Sequence, residues 1–310
     1  MKPQEFRKTL RLVGICTTPF DKDRKFDAKA MSHHVNWMIE RGITAENGCL
    51  VVSGSCGEGG AMDNSERKQV LDTALEAAKG RVPIVMSCNH SNVYQVIDLA
   101  QYAEKAGAAG IMLISPYYYA PTDRVALEFF KMVSANTGLG IYLYNNTYVT
   151  QYDISVKVMV ELAETTNVVG IKECTPSFFK MMEMCHALKD KIAITSGNGE
   201  CWEPYTQMEG CTGFISTFVN FAPEYAVRMW KALAAKDYDE ATNVRKQMRP
   251  LFQGYGKFGS VEGEPKVIAL AKKLADWRGA GGGYGRLPIQ DLTEEESLEA
   301  KNILIETGLL

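Results

Sequence analysis

Three short segments carry residue types able to act on a carbonyl compound. Lys172 lies in VVGIKEC, an otherwise largely apolar run. A lysine held among apolar neighbours is desolvated, which disfavours its ammonium form and draws its pKa down toward neutrality. A neutral amine attacks a ketone, so the segment predicts a Schiff-base lysine. The alternative is a lysine whose stem follows the strand while its head reaches water. Tyr144, in IYLYNN, is a candidate proton carrier. Schiff-base chemistry needs one, because the carbinolamine must lose water and the enamine must exchange a proton at C3. A core tyrosine with a satisfied hydroxyl is the competing reading. In SGSCGEGG, residues 53–60, glycines let the backbone N–H groups of Ser55 and Cys56 converge on an anion such as a carboxylate. An ordinary tight turn is the alternative there.

These residues need elements to position them. Short apolar runs suited to buried strands start near Val13, Leu50, Val82, Ile111, Ile141, Val168, Ile192 and Phe214, eight in all. Between them lie segments with apolar residues at helical spacing, such as Val70, Leu71, Ala74, Leu75 and Ala78. Polar residues suited to capping precede them, among them Asp63 and Asn64, and Thr122 and Asp123. Strict alternation predicts parallel strands with crossover helices, and eight strands select a closed (β/α)8 barrel over an open sheet. Residues 1–220 then form the barrel core. Residues 221–310 hold its last helix and a C-terminal helical extension, with helices expected at Tyr238–Tyr255, Val261–Trp277 and Glu294–Thr307. The last opens on a capping box, Thr293 with Glu296. The stretch RGAGGGYGR, 278–286, follows a helix rather than a strand and reads as a flexible connector, not a phosphate loop.

Composition removes several classes of function. The 310 residues are 46% hydrophobic and 23% charged with a net charge of −3, and no run of five like charges tracks a nucleic-acid backbone. No apolar stretch reaches the roughly 18 residues of a membrane span, and no apolar leader opens the chain, so a cytoplasmic enzyme is expected. Eight scattered cysteines are expected as thiols, four histidines show no metal-ligand spacing, and no G-x-G-x-x-G follows the first strand. No metal and no cofactor are expected.

Together the motifs resemble the dihydrodipicolinate synthase and N-acetylneuraminate lyase superfamily of class I pyruvate aldolases. The resemblance rests on TTPF (17–20), GSCGE (54–58), SPYY (115–118), YN (144–145), GIKE (170–173), SGN (196–198) and GFIST (213–217), in order along nearly the whole chain. It implies Lys172 as the Schiff-base lysine and Tyr144, Ser55 and Tyr118 as a hydroxyl relay. It further implies that Ser55 and Cys56 hold the carboxylate, with Gly197 and Ile215 lining the site. The tyrosine matching Tyr118 reaches in from a neighbouring subunit in such enzymes, so the resemblance implies a homotetramer of paired dimers acting on a 2-keto acid.

Two departures bear on the substrate. Cys56 stands where the family usually has a threonine, and a thiol is the weaker donor to a carboxylate. Dihydrodipicolinate synthases place an arginine beyond the tyrosine matching Tyr144, where YNNTYVTQ here has Val149. The resemblance therefore implies a retro-aldol lyase that releases pyruvate, with a 2-keto-3-deoxy sugar acid dehydratase or a dihydrodipicolinate synthase-like enzyme as the alternatives. A catalytically silent binding barrel is the remote reading. No second acid stands out near the substrate, because Glu200 is read as part of the next helix.

Overall fold

The computed structural model describes residues 1–262 and 264–310, with side chains outside 260–264. All eight expected strands form: β1 Leu12–Ile15, β2 Gly48–Val52, β3 Ile84–Ser87, β4 Gly110–Ile114, β5 Ile141–Asn145, β6 Val168–Glu173, β7 Ala193–Ser196 and β8 Gly213–Ser216. They are parallel, each pairs with the next, and β1 closes on β8 through Leu12 opposite Phe214 and Val13 opposite Ile215. The protein is a (β/α)8 barrel.

Side chains alternate across each strand, so each strand feeds two cores. Val13, Cys49, Val51, Val85, Met112, Tyr142 and Tyr144 fill the barrel interior, whose N-terminal end is plugged by Phe6 and Leu10. Leu12, Leu50, Val52, Leu113, Leu143 and Ile194 face outward into the larger layer between strands and helices. Capping follows the sequence: Asp63 and Glu66 form a capping box, Thr122 caps Asp123–Ser134, and Thr293 with Glu296 opens Glu294–Glu306.

The C-terminal region differs from expectation in two places. The single helix expected over Tyr238–Tyr255 is two, Tyr238–Gln247 and Arg249–Glu262. Pro250 explains the break, because it lacks an N–H and is tolerated only in a helix's first turn. Of the helix expected over Val261–Trp277, residue 263 lies outside the described residues, and Glu264–Trp277 is helical. The expected connector 278–286 is instead tied down. Tyr284 bridges to Phe20, Lys272 Nζ donates to the Tyr284 carbonyl at 2.6 Å, and the Arg286 guanidinium grips the Glu66 carboxylate at 2.8 and 2.9 Å. Its glycines serve close packing as well as turning.

Candidate active site

Register decides the centre of the site. β5 and β6 pair Tyr144 with Lys172 and Asn145 with Glu173. Tyr144 and Lys172 therefore share the inner face, and Lys172 Nζ lies 3.9 Å from the centroid of the Tyr144 ring. An ammonium over a phenol face is held by cation–π attraction. The Tyr144 hydroxyl accepts a 2.6 Å hydrogen bond from Asn146 Nδ2, which fixes its direction. One layer below, the Tyr142 hydroxyl bonds Thr195, the residue opposite Lys172 on β7.

The outer face of the same strand end anchors the backbone. Glu173 is fully buried, accepts from both Asn145 Nδ2 and the Thr175 N–H, and lies 3.3 Å from Lys180 Nζ. Burial still pushes its carboxyl above the usual carboxylate range, against the pull of Lys180. Holding Glu173 leaves its neighbour Lys172 pointing into the barrel mouth.

The charge state of Lys172 corrects the sequence expectation. Burial lowers its pKa, but attraction from Tyr144, then Cys174, Cys56 and Tyr142, outweighs burial and leaves the group above the ordinary lysine value. The sequence shows a lysine among apolar residues and not the ring of phenols and thiols that the fold closes around it. Such groups attract an ammonium only as anions, so the rise belongs to the pH range in which they ionise.

Two cavities open beside this pair. One, of ≈ 290 Å³, is lined by Lys172, Gly197, Asn198, Gly199, Glu200, Cys201, Ile215, Thr217, Phe218, Phe252 and Tyr255. Gly197 is required where it stands: a Cβ there would sit 2.2 Å from Cys174 Sγ and 2.6 Å from the Glu173 carbonyl oxygen. The other, of ≈ 380 Å³, is lined by Ser53, Gly54, Ser55, Tyr117, Val149, Ile268 and Ile289 among others. Ser55 thus opens on the second cavity, while Cys56 lies close enough to Lys172 to influence its charge.

The 53–60 loop is shaped by Glu58 N–H donating to the Ser55 carbonyl and Gly59 N–H to the Gly54 carbonyl. Gly59 permits the fold-back, since a Cβ there would lie 2.1 Å from the Ser53 carbonyl oxygen. Glu58, at φ 53°, turns its carboxylate onto the fully buried Lys272 and accepts the Arg286 N–H at 2.7 Å. The C-terminal extension therefore fastens this loop from outside. Tyr118, by contrast, is 83% exposed, stands edge-to-face with Tyr119, and lines neither cavity. Among the described residues no cluster of three or more His, Cys, Asp or Glu is placed to hold a metal, and no helix is long and apolar enough to cross a membrane.

The sequence pattern of the Dihydrodipicolinate synthetase family matches residues 8–307. This chain belongs to that family. It is similar to the 4-hydroxy-tetrahydrodipicolinate synthases of Methylobacterium radiotolerans, 31% identical over 303 residues that cover 97% of each chain, and of Bradyrhizobium diazoefficiens, 31% identical over 293 residues covering 94% of this chain and 95% of that one. In structure it is similar to the dihydrodipicolinate synthase of Thermotoga maritima, with a TM-score of 0.88, 26% identity and coverage of 97% and 100%. It is also similar to the Acinetobacter baumannii dihydrodipicolinate synthase complexed with pyruvate, with a TM-score of 0.86, 26% identity and the same coverage. The protein is a lyase of this pyruvate-using family.

Among the lining residues that sequence reasoning missed are Glu200, Phe252 and Tyr255. Glu200 is not in a following helix; it sits in a short 3-10 turn, Gly199–Cys201, and its side chain is buried. Its signal was present in SGNGE, an acid three residues past Gly197, the glycine that follows β7. Phe252 and Tyr255 carry no local signal, because only the path of the extension brings them over the barrel mouth.

Proposed function

We propose that this family member forms a Schiff base between Lys172 and the keto carbon of a 2-keto acid, and cleaves or joins the C3–C4 bond with pyruvate as one partner. The observation that carries the reading is the pairing of Lys172 Nζ with the Tyr144 ring at 3.9 Å inside a barrel mouth. Attack by the amine gives a carbinolamine. Tyr144 donates the proton with which its hydroxyl leaves as water, and the resulting phenolate faces the iminium. In retro-aldol cleavage that phenolate takes the proton of the C4 hydroxyl, the C3–C4 pair moves into the iminium, and the enamine of pyruvate remains on Lys172. Ser55 and Cys56, on a loop fastened by Glu58 and Lys272, are assigned to the carboxylate, and Gly197 and Ile215 to the walls. Tyr118, standing out in solvent, is assigned to a neighbouring copy's relay in a homotetramer working in the cytoplasm.

A second reading, dehydration of a 2-keto-3-deoxy acid, is favoured by one observation: the Lys172 cavity contains a buried carboxyl group, Glu200. Expelling water from C4 needs an acid that carbon–carbon cleavage does not. The printed activity of the relatives, 4-hydroxy-tetrahydrodipicolinate synthesis, is supported by their identity over nearly the whole chain, while Val149 supplies no cation for a second carboxylate. Incubation with pyruvate and borohydride tests the common core. Irreversible labelling of Lys172, abolished in Lys172→Ala, is the expected result, and labelling elsewhere or none would overturn it.

A further inference from the structure

The side-chain amide of Asn146 does two things at once at the end of β5. Its Oδ1 accepts the Tyr148 N–H at 3.1 Å, so Asn146 caps the short helix Thr147–Thr150, whose Val149 lines the ≈ 380 Å³ cavity. Because a backbone N–H can only donate, this contact fixes which end of the amide is oxygen. Nδ2 therefore faces Tyr144, and it donates to the phenol oxygen at 2.6 Å. Asn146 is itself buried, and its carbonyl accepts the Val149 and Thr150 N–H groups at 3.2 and 3.1 Å, so backbone and side chain are both held.

That direction of donation has a chemical consequence. An N–H aimed at an oxygen stabilises it more as an anion than as a neutral hydroxyl, since charge-assisted hydrogen bonds are roughly twice as strong as neutral ones. The amide nitrogen cannot take a proton in return, so Tyr144 exchanges its own toward the barrel mouth, where Lys172 Nζ lies 3.9 Å from the ring centroid. The other titratable groups around this pair are Cys174 just beyond β6, Cys56 on the loop after β2, Tyr142 one layer below, and Tyr117, which packs against the same interior cluster. On β4 the direct partner of Tyr144 is the apolar Ile114.

We propose that Asn146 is a positioning residue that stabilises the phenolate in which Tyr144 acts as a base, a role that rests on the Schiff-base reading of Lys172. In the iminium of pyruvate, the phenolate oxygen takes a proton from the C3 methyl group. The C–H pair becomes the C2=C3 bond, and the C=N pair moves onto the Lys172 nitrogen to give the neutral enamine. Reversal returns a proton to C3, or a deuteron once the phenol has exchanged with deuterated water. The Asn146 N–H bond is strongest while the oxygen is charged, so more of the enzyme carries the base at neutral pH. The same amide ties that base to the helix whose Val149 walls the second cavity.

Asn146→Asp separates the bond from the cap. An aspartate still accepts the Tyr148 N–H and is as good an N-cap as asparagine, but it presents the phenol with an anion instead of a donor. At saturating pyruvate Lys172 is held as the iminium and no longer titrates as an amine, so the pH profile of methyl-proton exchange with deuterated water reads the base. In Asn146→Asp the pH of half-maximal exchange is expected to rise by about one unit or more, so that exchange at neutral pH falls by about 10-fold and returns as pH is raised. Asn146→Ala removes the donor without adding an anion and is expected to shift the profile the same way by less. Borohydride labelling of Lys172 is expected to persist in both variants. An equal loss of exchange at every pH overturns the proposal, as does an unchanged profile or a shift to lower pH. So does loss of labelling in both variants, or a native protein that is labelled yet does not exchange. Absence of both labelling and exchange in the native protein would overturn the Schiff-base reading itself.

Discussion

Lys172 and Tyr144 are direct partners across β5 and β6, and the ammonium of one lies against the ring of the other at 3.9 Å. The contact is made by the aromatic face, whereas the proposed chemistry is made by the hydroxyl that Asn146 holds at 2.6 Å. Ring and hydroxyl can therefore be tested apart. Tyr144→Phe keeps the ring and is expected to retain the fold while lowering kcat by about 10²–10⁴-fold, the usual worth of a positioned proton carrier. Thermal melting together with steady-state kinetics would check it. An active Tyr144→Phe enzyme would move the proton transfer to another group.

The aldehyde partner is constrained by what the helix Thr147–Thr150 presents. Val149 lines the Ser55 cavity and Tyr148 is 84% exposed, so this segment brings no cation to a second carboxylate. Condensation of pyruvate with aspartate semialdehyde is expected to be poor. Turnover in the ordinary enzyme range of about 1–10³ s⁻¹ at sub-millimolar semialdehyde would show that another residue supplies the clamp.

Tyr118 gives the most direct test of assembly. If its exposed hydroxyl completes the relay of another copy, the working unit is at least a dimer. Mixing inactive Tyr118→Phe and Lys172→Ala subunits should restore activity, because one of the two sites in a mixed dimer then holds a native lysine and receives a native tyrosine. Kinetics after subunit exchange, with light scattering alongside, would check it. Full activity in a monomer would refute the assignment.

The sequence showed the fold wherever a local pattern and a global rule agreed. Eight apolar runs alternating with amphipathic segments leave almost no topology but a barrel, and the structure displaces their starts only slightly, Val82 to Ile84 and Leu50 to Gly48 at most. Lys172 and Tyr144 were legible because strand-end polar residues stand out against apolar runs. What the sequence hid was set by distant segments. The phenols and thiols that raise the Lys172 pKa come from the loop after β2, from β5 and from Cys174, the residue after β6. The clasp on the 53–60 loop comes from Lys272 and Arg286, more than two hundred residues along the chain. Glu200 was read as part of the next helix because SGNGE, although it marks an acid just past β7, does not show that its turn lines a cavity with Phe218, Phe252 and Tyr255.

That clasp makes a stability prediction. Lys272 and Glu58 are both almost fully buried, and removing one member of such a pair leaves the other uncompensated, at a cost of about 3–5 kcal/mol. Lys272→Met should lower the urea midpoint accordingly and raise KM for pyruvate more than it lowers kcat, because the loop assigned to the carboxylate loosens. Adding Glu58→Gln to Lys272→Met should recover part of the stability.

Glu203 links the neighbouring turn to pH. It is fully buried, and burial raises its carboxyl from the usual 4.5 to about 7, despite hydrogen bonds from the Thr206 hydroxyl and the Gln207 N–H. The folded protein thus holds this proton more tightly than the unfolded chain does. Between pH 4.5 and about 7 the folded state binds more protons, so stability falls as pH rises, by at most about 1.4 kcal/mol per pH unit. Below the unfolded value the contribution is fully present, and above about 7 it has been lost. Glu203→Gln carries no titrating proton and should remove this part of the slope. Glu200, raised to about 8, keeps a slope of its own in the variant. Urea midpoints measured from pH 5 to 8 should therefore show Glu203→Gln gaining on the native protein up to about pH 7 and running parallel to it beyond. A constant difference across the range would mean that Glu203 is already ionised in the folded protein and that its partners, rather than its proton, keep it buried.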